Sequence, residues 1–314
     1  MTRLSCLVPL TLAAIWTCGA AHAEEGAVLS GTLKVIQERG SILVGFRDDA
    51  TPFSFLNKAN QPIGFSIDLC HGIAEDTARV LHRELLEPDA PAWQTGVRLV
   101  YVPVVADERL PKLVSGVIDL ECGSTTANAE RARTVAFSPI FFLAGTRLMV
   151  PLAENGKPII ESYHALAGRT VVVGAGTTSA HVMHQLATAV SPSIIVTELP
   201  RLDAAYEMLV AGKADAFASD DILLAGFRAT HPEGQRFGIV GDYLSYEPCA
   251  IALRREDPAF AELVRDSFRR MAAEGLLKQF YTRWLVSKLP NGDRLNVPMS
   301  PHLSEMYRVL GQAD

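Results

Sequence analysis

Two successive runs of short apolar strand patterns alternate with helix patterns along this chain, and both runs place their polar residues at strand ends. Such alternation calls for parallel sheets covered by helices, an α/β architecture. Open sheets of this kind bind ligands beyond the carboxyl ends of their strands. In the first run, residues 33–39 read as a helix with Thr32 as cap and Gly40 as stop. Residues 41–46 read as a buried strand ending at Arg47, and 63–67 as a second strand. Asp68 then caps a long helix through Leu85, 97–105 reads as a strand, and 107–113 as a short helix carrying Arg109. The second run begins near residue 147. It has strands at 170–173, 194–197 and 214–219, and helices after Ser179, Leu202 and Asp221. A last strand at 250–253 precedes a helix from about Pro258 to Trp284, a turn-rich tail and a short terminal helix.

Between the two runs, residues 121–133 read Glu-Cys-Gly-Ser-Thr-Thr-Ala-Asn-Ala-Glu-Arg-Ala-Arg. The pattern suggests a strand ending at Gly123, three hydroxyl residues, and a polar helix-like segment. A helix N-terminus flanked by Ser124, Thr125 and Thr126 would present free N–H groups to an anion. Arg131 follows Thr126 by about one and a half helical turns and would reach back to the same anion, making a carboxylate clamp. A capped helix with surface arginines accounts for the same residues.

The 314 residues suffice for two domains, and 48% hydrophobic with 20% charged residues suits a soluble globular protein. A net charge of −6 with no basic block argues against nucleic acid as a partner. Residues 1–23 read as a cleaved secretory signal: Arg3, an apolar stretch from Leu7 to Trp16, and Ala21-His22-Ala23 before the cleavage point. Cys18 lacks the small residues that precede a lipidated cysteine. Cleavage leaves Cys70, Cys122 and Cys249, in a compartment that permits disulfides, and an odd number leaves at least one thiol free unless chains pair. Their spacings are too wide for a zinc motif. His181 and His184 stand three apart on a helix with no third ligand evident, so no metal is expected. Gly174-x-Gly176 lacks the third glycine of a dinucleotide loop, and no nucleophile elbow or zincin motif occurs. No cofactor is expected.

Several segments together carry a family resemblance. They are Gly45-Phe46-Arg47-Asp48-Asp49 with Pro52-Phe53-Ser54-Phe55, Gly64 to Leu69, the 121–133 stretch with Phe137-Ser138-Pro139, Gly176-Thr177-Thr178-Ser179, and Ser219-Asp220-Asp221. In their order and spacing the chain resembles the extracytoplasmic solute-binding proteins of family 3, which serve amino-acid ABC importers. Within that family it looks most like the glutamate/aspartate-binding members. The resemblance implies a two-lobed periplasmic binding protein-like α/β fold with a ligand cleft between lobes and two hinge strands. The hinges would lie near 142–146 and 242–247, with lobe 1 at 27–143 plus 247–314 and lobe 2 at 144–246. It implies Arg131 on the ligand α-carboxylate, helped by N–H groups near Thr126 and Thr178, Asp220 on the α-ammonium, and Ser124 as a further polar contact. Arg47 and Arg109 would meet an acidic side chain. Ala106 and Leu202 stand where the acidic-ligand relatives carry serine and histidine, and Arg201 offers a third cation nearby. Cys249 stands where relatives often have tyrosine. The resemblance implies a periplasmic, monomeric, non-enzymatic protein that docks on a membrane permease. Some proteins of the same fold are prephenate- or arogenate-type dehydratases, which is the competing reading. A sensor domain is a third, though no membrane-spanning or signalling segment follows.

Overall fold

A computed structural model describes residues 29–311. The expected signal segment and its cleavage point after Ala23 lie outside the described residues. Two mixed sheets organise the chain. In the first, the parallel strands Leu85–Leu86, Val97–Pro103, Ser41–Phe46 and Leu120–Glu121 are followed by two antiparallel neighbours, Ala252–Arg254 and Val135–Phe137. In the second, Ile195–Leu199, Thr170–Gly174 and Ala216–Asp220 run parallel, and Thr146–Pro151 and Phe237–Val240 extend the sheet on one side. The sheets are therefore mixed rather than wholly parallel: a strand that returns from the opposite half of the molecule joins its sheet antiparallel. Between them two short strands, Phe142–Ala144 and Glu247–Cys249, pair antiparallel.

Local chemistry explains where elements stop. Gly40 closes the first helix, Gly31–Arg39, at φ 71°, a left-handed geometry suited to glycine. Thr32 is not its cap; its N–H binds the Asp257 carboxylate from a distant turn. The strand expected at 63–67 is cut short. Gly64 adopts φ 136°, and a Cβ there would lie 2.2 Å from the Phe53 carbonyl oxygen, so the chain turns and the helix Phe65–Val80 begins. Asp68 lies within the first turn of that helix and accepts from Trp284 Nε1 at 2.7 Å rather than capping it. The C-terminal helix breaks at Gly275, φ 71°, into Pro258–Ala273 and Leu276–Tyr281.

Packing fixes the crossover. Phe53 packs on Phe141 and Phe142 with ring centroids 5.8 and 5.2 Å apart, and Phe65 reaches Phe141 and Tyr281. Tyr307 of the terminal helix Pro301–Leu310 donates to the Phe141 carbonyl at 2.7 Å. These buried rings pack against the strand Phe142–Ala144 and the residue before it. Cys70, on the long helix, is bonded to Cys122 beside the strand Leu120–Glu121, and Cys249 remains a buried free thiol.

Candidate ligand-binding cleft

The stretch 121–133 is not a helix start. After Glu121 the chain turns at Gly123, where a Cβ would sit 2.5 Å from Glu121 Oε1 and 3.0 Å from Arg47 Cγ. Residues 124–127 then run extended beside the second crossing strand. Ala250 N–H donates to Thr125 O at 3.0 Å and Ala127 N–H to Pro248 O at 2.8 Å. Only a three-residue 3₁₀ turn follows, Arg131–Arg133. The helix fails because pairing with residues 248–250 satisfies this backbone first. Arg131 nevertheless reaches back, with Nη1 3.1 Å from Thr126 O and Nη2 3.3 Å from Gly176 O across the cleft.

The second sheet supplies a true helix N-terminus. Thr177 caps the helix Thr178–Ala189, accepting from Ala180 N–H at 3.1 Å. Thr178 is the first helical residue, so its N–H has no intrahelical acceptor. Asp220 ends the strand Ala216–Asp220 and is 6% exposed.

Arg47, Arg109, Ser124, Thr126, Thr178 and Asp220 converge on one small, nearly filled cavity of about 20 Å³ between the two sheets. Arg131 does not line it; its guanidinium is held by the two carbonyl contacts above. Leu202 lines the cavity and is buried, whereas Ala106 does not line it. Arg201 is turned away, held by Asp203 and, across the cleft, by Asp48 at 2.8 Å. A wider open groove on the outside of the first sheet, bordered by Ile63, Glu87 and Tyr101, gathers none of these residues.

Burial perturbs the charges here. Asp220 is pushed from 3.8 up to about 7, first by burial and then by the neighbouring Glu247 and Asp221, against the pull of Arg109 and Arg131. Burial lowers Arg109 to about 9, opposed chiefly by Glu121, and lowers Arg131 as well. Arg47 and Arg109 are nearly inaccessible, at 1% and 3% exposed. Arg109 Nε has no hydrogen-bond partner.

Three further carboxylates stand in this region, none of them singled out as a site residue by the sequence. Asp49 accepts from Arg47 Nε at 2.8 Å and from Leu202 N–H, across the cleft, at 2.8 Å. Glu121 is fully buried with neither oxygen hydrogen-bonded. Glu247, on the second crossing strand, accepts from the hydroxyls of Thr126 and Thr178 at 2.6 Å each. A single carboxylate thus ties a crossing strand to both sides of the cleft. Strand-end acids look like solvated residues in a sequence, and only the fold turns these three inward.

His184 pairs with Glu198 and His181 with Gln185. Among the described residues no group of side chains could hold a metal ion.

A crossover of two strands, two mixed sheets and a polar cavity between them describe a two-lobed binding protein. The chain belongs to the bacterial extracellular solute-binding proteins, family 3, whose profile matches residues 42–287. It is 33% identical over 298 residues to a glutamate/aspartate import solute-binding protein of Salmonella typhimurium, covering 95% of this chain and 93% of that protein. An L-glutamate/L-aspartate-binding protein of Pseudomonas aeruginosa is also 33% identical, over 280 residues and 88% of each chain. Among solved structures, an ancestral amino acid-binding protein, a precursor of cyclohexadienyl dehydratase, matches with TM-score 0.67 and 27% identity. That match covers 81% of this chain and 99% of that one. The two sequence relatives are transport substrate-binding proteins, not enzymes, and the import reading is favoured over the dehydratase reading. No helix among the described residues is long and apolar enough to cross a membrane.

Proposed function

We propose that this protein captures an α-amino acid with an acidic side chain in the periplasm and delivers it to the membrane permease of an ABC importer. The observation that carries the reading is the convergence of Arg47, Arg109 and Ser124 from one sheet, and Thr178 and Asp220 from the other, on one cavity. Each side then gains its ligand contacts only when the lobes meet, so the ligand favours closure. Arg131 takes the α-carboxylate with N–H groups near Thr126 and Thr178, and Asp220 takes the α-ammonium. Ser124 adds a polar contact to the same head group, and Arg47 and Arg109 face the side-chain carboxylate. The likeness to glutamate/aspartate-binding relatives supports the acidic class.

On this reading the lobes are 27–143 with 247–314, and 144–246. The two crossing strands act as the hinge. The signal is removed after Ala23, and the protein works as a monomer. A thermal-shift screen over amino acids and dicarboxylates tests the assignment, because a specific ligand stabilises the fold by mass action. Glutamate and aspartate are expected to raise Tm above glycine and arginine. Equal or larger shifts with arginine, or none with any amino acid, would refute it.

A further inference from the structure

Arg47, which lines the cavity, already has a protein carboxylate against it. Arg47 Nε donates to Asp49 Oδ1 at 2.8 Å, and Nη2 lies 2.6 Å from the same oxygen without hydrogen-bond alignment. The second Asp49 oxygen accepts from Leu202 N–H across the cleft, so the carboxylate is fixed from both sides. Asp49 does not itself line the cavity; it stands behind Arg47 and Leu202, which do. Glu121 plays the matching part beside Arg109. It is fully buried, its oxygens have no hydrogen-bond partner, and it is the charge that most sustains the Arg109 guanidinium.

Arg47 is therefore paired with a carboxylate supplied by the protein itself, and Arg109 is under the charge of a second, Glu121, with which it makes no salt bridge. A ligand carboxylate gains less from cations already paired than from bare ones, and it must be stripped of water to reach them. An amide side chain has nearly the same shape, offers a carbonyl acceptor and carries no charge to desolvate. Arg109 Nε, buried without a hydrogen-bond partner, is a donor that suits either group.

We propose that Asp49 is a specificity-setting positioning residue: by holding Arg47 it keeps discrimination between acid and amide low, so the site takes the amide amino acids alongside their acids. This rests on the amino-acid-binding reading given above. The test is calorimetric titration of the mature protein with glutamate, glutamine, aspartate and asparagine, for wild type, Asp49→Asn and Glu121→Gln. Asp49→Asn keeps an oxygen for Leu202 N–H and removes the charge from Arg47. Wild type is expected to bind each acid and its amide within tenfold of one another, and Asp49→Asn to raise the acid-to-amide ratio at least tenfold. A purely structural role weakens acid and amide by one factor and leaves the ratio where it was. A wild-type ratio above tenfold, or a ratio unmoved in the variant, overturns the proposal. Glu121→Gln, expected to move the ratio the same way, decides the matter if Asp49→Asn does not fold. If wild type binds none of the four, the amino-acid reading fails and takes this one with it. Binding with an unmoved ratio defeats this one alone.

Discussion

Proton linkage at Asp220 gives the sharpest test of the head-group site. Its carboxyl is 6% exposed and is raised from 3.8 to about 7 by burial and by Glu247 and Asp221. Raising a carboxyl that far costs its ionised form on the order of 4 kcal/mol. Because the folded-state value is raised, the stability this group contributes is fully present below about pH 4 and is lost as pH rises through about 7. Opening the cleft relieves the same cost. A ligand ammonium at Asp220 reverses the preference and favours the carboxylate. Binding is then weakened by acid: below about pH 7 the Kd rises about tenfold per pH unit, or about 25-fold between roughly pH 7.5 and 5.5. An acidic ligand side chain, with an ordinary value near about 4, stays ionised across that window. Calorimetry in buffers of differing ionisation enthalpy measures both the Kd and the protons released. Asp220→Asn, binding weakly, is expected to show no pH dependence there. A wild-type Kd constant within twofold over this range, with no proton release, would refute an ammonium site at Asp220.

Arg131→Ala is expected to abolish binding of every amino acid by removing the α-carboxylate partner, with a loss of more than about 100-fold by calorimetry; near-normal affinity would remove Arg131 from the clamp. Arg201→Ala breaks a half-exposed bridge to Asp48 across the cleft. Surface pairs contribute about 0.2–1 kcal/mol, so the Kd is expected to weaken no more than about fivefold, and less in high salt. The Cys70–Cys122 bond closes a loop with a sequence separation of 52, which corresponds to about 4 kcal/mol in the chain-entropy account. Cys70→Ser with Cys122→Ser is therefore expected to lower urea-unfolding stability by about 2–4 kcal/mol, whereas an unchanged midpoint and slope would show that the bond does not constrain the fold.

Much of the scaffold was legible because its strands are apolar runs closed by special residues. Ser41–Phe46, Thr170–Gly174 and Ala216–Asp220 follow the pattern closely, as do the helices after Thr177, Arg201 and Asp220. The failures share one cause, which is long-range pairing that local pattern does not encode. Residues 124–127 look like the start of a helix, yet they pair with 248–250, about 120 residues away, as counted along the chain. The strand expected at 63–67 gives way at Gly64, whose φ of 136° is set by the backbone of Phe53 pressing against it. The disulfide partner of Cys122 could not be read from three cysteines, since the bond depends on how the long helix lies against the first sheet. The cavity residues were named by the family resemblance. Asp49, Glu121 and Glu247 were not, because their inward orientation arises only when the sheets face each other.

These three acids also bear on how closure selects for a ligand. The direct contacts across the cleft are few and mostly modest. They include the Arg201–Asp48 bridge, the Leu202 N–H bond to Asp49, and the reach of Arg131 to Gly176 O. Contacts of this kind favour closure whether or not a ligand is present, so they confer no ligand dependence. Dependence has to come from groups whose burial is costly until the ligand compensates it. Arg109, lowered to about 9, and Asp220, raised to about 7, are the groups whose values record such a cost. Of opposite sign and at one cavity, they match the ammonium and the side-chain carboxylate of an acidic amino acid in the proposed pose, and a ligand lacking either group relieves only one of them. On the proposed reading the closed form therefore favours an α-amino acid as a class through Asp220 and Arg131, while the choice among amino acids falls to Arg109 and to the balance between Arg47 and Asp49.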